Sequence, residues 1–209
     1  METDVIHATA QYAEEVLGSE GLRYVSAVVA NCKMLALQLE AQEEQSAPID
    51  TDALTVSAYL HDISNVTHGV PNHARQSADM AVSFLLREQA PDTLVQKVEQ
   101  IILLHSIPST NTETEVPIEA RILYDADKLG RLSGLAVVTS LIEFGARYPN
   151  RAVNGDVLAG VLRHIEERFI ELYQSLHTEP AREMAQEKFH STLAFLDGVI
   201  EHLSDATPV

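Results

Sequence analysis

Residues 51–62, TDALTVSAYLHD, decide the fold of this chain. Asp50 or Thr51 can cap a helix here, and Leu54, Ala58 and His61 then point one way. An apolar helix that ends on an adjacent imidazole and carboxylate presents two metal-binding groups at one end of a core element. His73, His105 and Asp127 follow at long intervals, and they can reach the same point only if several helices converge on it. The doublet therefore predicts an all-helical fold and a metal-assisted hydrolytic site together.

Helical spacing of apolar residues extends outward from this segment almost throughout. Upstream it predicts helices over about 4–17, stopped by Gly18, and over about 21–42, with Val28, Val29, Cys32, Leu35, Ala36 and Leu39 as one stripe. Downstream, residues 63–72 (ISNVTHGVPN) read as a loop. A helix then starts near His73 with Ala74, Ala78, Ala81 and Leu85 aligned, and Pro91 is placed as the first residue of the next, which ends near His105. Further helices are expected from Pro117 to Leu129, over about 132–147, over about 156–176 and over about 180–203. In the 156–176 helix, Leu158, Val161, Leu162, Ile165, Phe169 and Leu172 form a stripe expected to pack against the domain or a second subunit. The β-branched runs VSAVV and AVVTSLI lie inside longer helical periods. The expectation is an all-α bundle of about nine helices in a single domain, residues 1–209, with a motif region over about 20–135 and C-terminal helices over about 155–203.

Composition bounds the function. The 209 residues are 45% hydrophobic, enough for a sizeable core, yet only 5% aromatic with no Trp, so the core falls to Leu, Ile, Val and Ala. The formal charge of −17 argues against nucleic acid and anionic membranes as partners, while local Lys and Arg still permit a small phosphorylated substrate. Cys32 is the sole cysteine, which reads as a small buried hydrophobe and leaves the metal to His and carboxylate ligands. The acidic N-terminus has no signal-peptide pattern and no apolar run reaches membrane-spanning length. The expected setting is the cytoplasm, with a homodimer as a further expectation.

A single interior His is most often a hydrogen-bonded structural group, and a single Asp a solvated charge. The combination is far less ordinary: His61-Asp62 at a helix end, two later helix-edge imidazoles, and Asp127 followed by Lys128 and Leu129. Asp125 and Asp127 are two apart on a helix, so they do not share a face and at most one points at an ion.

The stretches AYLHDISN, NHARQSADMAVSFLL, IILLHS and EARILYDADKLGRLSG resemble the HD superfamily of metal-dependent phosphohydrolases, in particular its small stand-alone members. The tail from His164 to Leu203 resembles that subgroup as well, so the likeness covers about residues 20–203. The resemblance implies that His61, Asp62 and Asp127 are ligands of a principal metal. It implies that His73 and His105, with Asp62 bridging, hold a second. The cofactor is then one or two divalent ions among Mn, Fe, Ni, Co, Mg and Zn, and the partner a small phosphorylated substrate such as a nucleotide. Asp62 would orient or deprotonate the attacking water. Lys128 and Arg131, one turn apart, would pair with phosphate oxygens, and His68 would donate a proton to the leaving group. Arg23 is a further candidate for substrate contact.

Two departures stand against the family's pattern. Its upstream His opens a His-x-x-Arg-Val-like stretch, which here reads GLRYV, so Gly21 holds the His position and His7 is the only other upstream imidazole. Ser64-Asn65 stands where many relatives have Gly-Lys. Other expectations for such a chain are a non-catalytic metal- or nucleotide-binding HD protein and a di-iron HD-fold oxygenase.

Overall fold

In the computed structural model, which describes residues 2–42, 48–64, 72–132, 134–150, 152 and 154–205, every regular element is a helix. There are eight among the described residues: α1 (Glu2–Ala41), α2 (Thr51–Leu60), α3 (His73–Arg87), α4 (Asp92–Leu104), α5 (Ile118–Leu129), α6 (Gly134–Arg147), α7 (Gly155–Gln174) and α8 (Glu179–Asp205). The sequence predicts about nine, and the difference lies at Gly18. Its φ of 71° and ψ of 179° break the helix, but helical geometry resumes without a loop, so the two expected helices form one kinked element. That backbone region is essentially closed to residues with a Cβ. Among the described residues, no single helix is long and apolar enough to cross a membrane.

The chain divides into two compact units, Met1–Asp127 and Lys128–Val209. In the first, α2 is the central element and lies against α1, α3 and α4. Ala53, Leu54, Thr55, Val56, Ser57, Ala58 and Leu60 are all buried, so the helix is covered on nearly every side. Burying Leu54 and Leu60 alone contributes about 1.5–3 kcal/mol each. Asp50 caps the helix, its Oδ1 accepting from the Ala53 N–H at 3.0 Å. The predicted stripe on α1 from Val28 to Leu39 is buried as well.

α3 and α4 pack together through a tight reversal. Gln89 has φ 55°, Ala90 N–H donates to the Leu85 carbonyl at 3.0 Å, and Gln89 N–H donates to Leu86 at 3.2 Å. These bonds satisfy the last carbonyls of α3. Pro91 stands at the N-cap of α4, one residue before the expected position.

In the second unit, Val137 of α6, Leu162 of α7 and Leu196 of α8 form a core, with Leu141, Leu158, Ile165, Val199, Ile200 and Leu203 packed on it. Phe169 stacks on Phe189 at 5.4 Å, and Tyr173 stacks on the same ring at 4.1 Å. Much of the α7 stripe is therefore covered within its own unit. Asn154 caps α7 by accepting from the Val157 N–H at 2.9 Å.

Candidate metal centre

The site is built from the ends of helices. His61 is the C-cap of α2 and His105 the C-cap of α4, both with right-handed helical backbone. Each ring uses the same local device. His61 Nδ1–H donates to the Ala58 carbonyl at 2.9 Å and His105 Nδ1–H to the Ile102 carbonyl at 2.6 Å, three residues back in both cases. A carbonyl can only accept, so the proton is fixed on Nδ1 and the Nε2 lone pair is turned toward the site. Because α2 packs on α4, the two rings meet edge to face with centroids 5.2 Å apart.

Three further groups surround them. Asp62 Oδ2 lies 3.7 Å from His61 Nε2. His73, the first residue of α3, places Nε2 3.9 Å from Asp62 Oδ1, and its ring centroid is 5.9 Å from that of His105. Asp127 on α5 brings Oδ1 to 3.9 Å from His61 Nε2. These carboxylate–imidazole separations are too long for hydrogen bonds. Accordingly His61 Nε2 and Asp62 Oδ1 are buried with no hydrogen-bond partner among the described residues. Buried polar atoms left in that state are costly, and a divalent ion would satisfy a lone pair and a carboxylate at once.

His61, Asp62 and His105 each offer a ligand atom, and these atoms all lie within 4.8 Å of one another. Ligands held at about 2.1 Å from one ion span up to about 4.2 Å, so little closure is required. The donor set of imidazole nitrogen and carboxylate oxygen fits a divalent ion. When bound, that ion supplies Lewis acidity for hydrolysis.

The electrostatics separate the two buried imidazoles. Burial works against a charge on His61, but Asp127 and Asp62 beside it outweigh that, and its pKa is raised above the ordinary 6.5. For His105, burial dominates and the neighbouring His61 adds to it, so its pKa falls to about 4. The Cys32 thiol is pushed upward by burial first and by Asp127 and Asp125 second, which leaves it a neutral core group.

Asp125 is fully buried and bears on Cys32. Arg23 pairs with Glu20 at 3.4 Å with its side chain 78% exposed, so it faces solvent. His7 is exposed and lies 3.1 Å from Gln11. Lys128 is on α5, but Arg131 lies beyond its end at Leu129, where the Arg131 N–H donates to the Lys128 carbonyl at 2.9 Å. His68 lies outside the described residues.

Two contributors escaped the sequence reading. Ser64 ties the end of the doublet to α3: its hydroxyl donates to the His73 carbonyl at 3.1 Å and lies 2.9 Å from the Ser77 hydroxyl. Tyr24 of α1 donates its hydroxyl to Asp127 Oδ1. Its only signal was position, three residues after Gly21 and so on the same helical face.

Comparison with known proteins agrees with this architecture. The model of the HD domain family matches residues 25–132, just over half of the chain, and the chain belongs to that family. Among solved structures it is similar to a Listeria innocua protein at 17% identity and a TM-score of 0.71, with 99% of each chain covered. It is equally similar to Bacillus subtilis YpgQ in complex with ADP, at 17% identity and 0.71, covering 96% of this chain and 95% of that one. A third is an HD-superfamily hydrolase from Bacillus thuringiensis, at 17% and 0.66, covering 99% and 100%. No curated protein matches the chain.

Proposed function

We propose that this chain is a metal-dependent phosphohydrolase that cleaves a phosphate ester or anhydride of a nucleotide or another small phosphorylated metabolite. The observation that carries the reading is the pair of unpartnered buried atoms, His61 Nε2 and Asp62 Oδ1, within a cluster of His and Asp. A nucleotide is favoured because YpgQ, whose fold this chain shares, was crystallised with ADP.

In this reading His61 and His105 present lone pairs fixed by their backbone bonds, and Asp127 and His73 complete the ligand set for one or two of Mn, Fe, Ni, Co, Mg or Zn. Asp62 sits between His61 and His73, where its carboxylate orients the attacking water and takes its proton. His68 protonates the leaving group.

The test is a release assay for phosphate and pyrophosphate over nucleotides and sugar phosphates with Mn, Ni, Co and Mg. Asp62→Ala and His105→Ala are run beside the wild type and are each expected to lose at least about 100-fold in activity. Unchanged turnover in Asp62→Ala would refute the site. Metal uptake without turnover would leave a binding protein, and two bound irons with a charge-transfer band would favour an oxygenase.

A further inference from the structure

The α1 side of the cluster is closed in an unexpected way. Gly21 cannot carry a side chain as the chain stands, because a Cβ there would meet the Leu17 Cβ at 2.5 Å. In a straight helix, residues four apart keep their Cβ atoms about 5–6 Å from each other. The break at Gly18 removes that clearance by folding Leu17 back over position 21. The bare glycine is thus a steric requirement of the kink.

One turn further on, α1 reaches the cluster through a different group. The Tyr24 hydroxyl donates to Asp127 Oδ1, the same oxygen that faces His61 Nε2. The Tyr24 ring centroid is 6.4 Å from that of His61. Asn31, two turns beyond Tyr24, donates its amide to the Ala126 carbonyl at 3.2 Å. α1 therefore holds α5 at the Asp127 carboxylate and at the peptide immediately before it.

We infer that Tyr24 is a positioning residue for the metal centre: its hydroxyl orients the Asp127 carboxylate and closes the α1 side of the cluster by a hydrogen bond. The inference rests on the reading of the cluster as a metal site. A hydroxyl donor on a ligating carboxylate limits its rotation and fixes which lone pairs face the ion. Acceptance by an ionised carboxylate also makes the bond stronger than one between neutral groups. Tyr24 is 39% exposed, so its ring contributes less to the core than a fully buried aromatic would.

The experiment compares wild type and Tyr24→Phe after removal of metal by chelation. Mn(II) affinity is read by calorimetry or electron paramagnetic resonance, well below the melting temperature, so that only folded protein is measured. The melting temperature of the metal-stripped protein is recorded separately. Loss of a partner of this kind is expected to weaken Mn(II) binding about 10–100-fold, with the stripped protein's melting temperature moving by less than about 2 °C. Affinity within about two-fold of wild type would overturn the role, whatever the melting temperature does. A phenolate-to-Fe(III) absorption band present in wild type and absent from Tyr24→Phe would also overturn it, by making Tyr24 a ligand. Failure of the wild type itself to take up Mn(II) would remove the metal-site reading and this inference together, which distinguishes the two failures.

Discussion

The two ends of α2 treat their polar groups in opposite ways. At its start, Lys97 Nζ of α4 lies 2.9 Å from Glu119 Oε1 of α5 and 3.2 Å from Asp50 Oδ2. The same Glu119 oxygen accepts from the Asp50 N–H at 3.0 Å, while the other Asp50 oxygen caps the helix. Burial acts to lower the pKa of Lys97, but its bonds to Glu119 and Asp50 outweigh it and the net direction is upward. At the other end, His61 Nε2 and Asp62 Oδ1 are buried without hydrogen-bond partners among the described residues. The first end spends its charges on holding three helices together. The second leaves its lone pairs available, at a cost in stability, for a group from outside the chain.

That contrast can be broken by mutation at either end. The largest effect is expected at the unpartnered end. Asp62→Asn removes one of the crowded acidic groups, so the metal-stripped protein should keep or gain stability. The thermal response to Mn(II) should vanish: at 100 times the wild-type Kd this response amounts to about 2.7 kcal/mol. A melting curve with and without Mn(II) checks both. An undiminished Mn(II) response would show that Asp62 is not part of a metal site.

At the satisfied end the signs reverse. Glu119→Ala takes the acceptor from the Asp50 N–H and leaves the half-exposed Lys97 with Asp50 alone, and should cost about 1–2 kcal/mol, or about 2–8 °C in melting temperature for a chain of this size. Mn(II) affinity should change little, because Glu119 lies at the start of α5 and Asp127 near its end. A loss of metal binding larger than the loss of stability would erase the distinction between the two ends.

This difference between ends was only half visible in the sequence. Helical periodicity located the helices because nearly every element buries an apolar face, and Asp50 was legible as a cap because its side chain acts locally. His61, Asp62, His73, His105 and Asp127 form a set in the sequence through the family resemblance, and each lies at or near a helix end. The partners that hold those ends were not legible. Tyr24 and Asp127 are 103 residues apart, Asp50 and Glu119 are 69 apart, and neither pair leaves a local trace. Glu119 marked a family resemblance in the sequence; in the fold it is an ion-pair residue. The sequence predicts a stop at Gly18, whereas whether a helix stops or kinks depends on what receives the chain beyond it.

The smallest expected effect is a pH dependence that separates His61 from His105, although both use the same carbonyl bond. For His105 the folded pKa of about 4 lies below the ordinary 6.5, so the unfolded chain binds the proton more strongly. Stability should therefore fall as pH drops from 6.5 toward 4. His61 has the opposite sign. Its folded pKa is raised above 6.5, so its contribution is fully present below 6.5 and is lost as pH rises through the folded value. In metal-stripped protein, urea unfolding from about pH 5.5 to about pH 8 should show His105→Gln flattening the acid side and His61→Gln flattening the alkaline side. Mn(II) competes with the His61 proton, so its affinity should rise with pH over the range in which the His61 contribution to stability falls. If His61→Gln left the alkaline side unchanged, the proton would not reside on His61, and the carboxylates around it would have to be neutralised in another way.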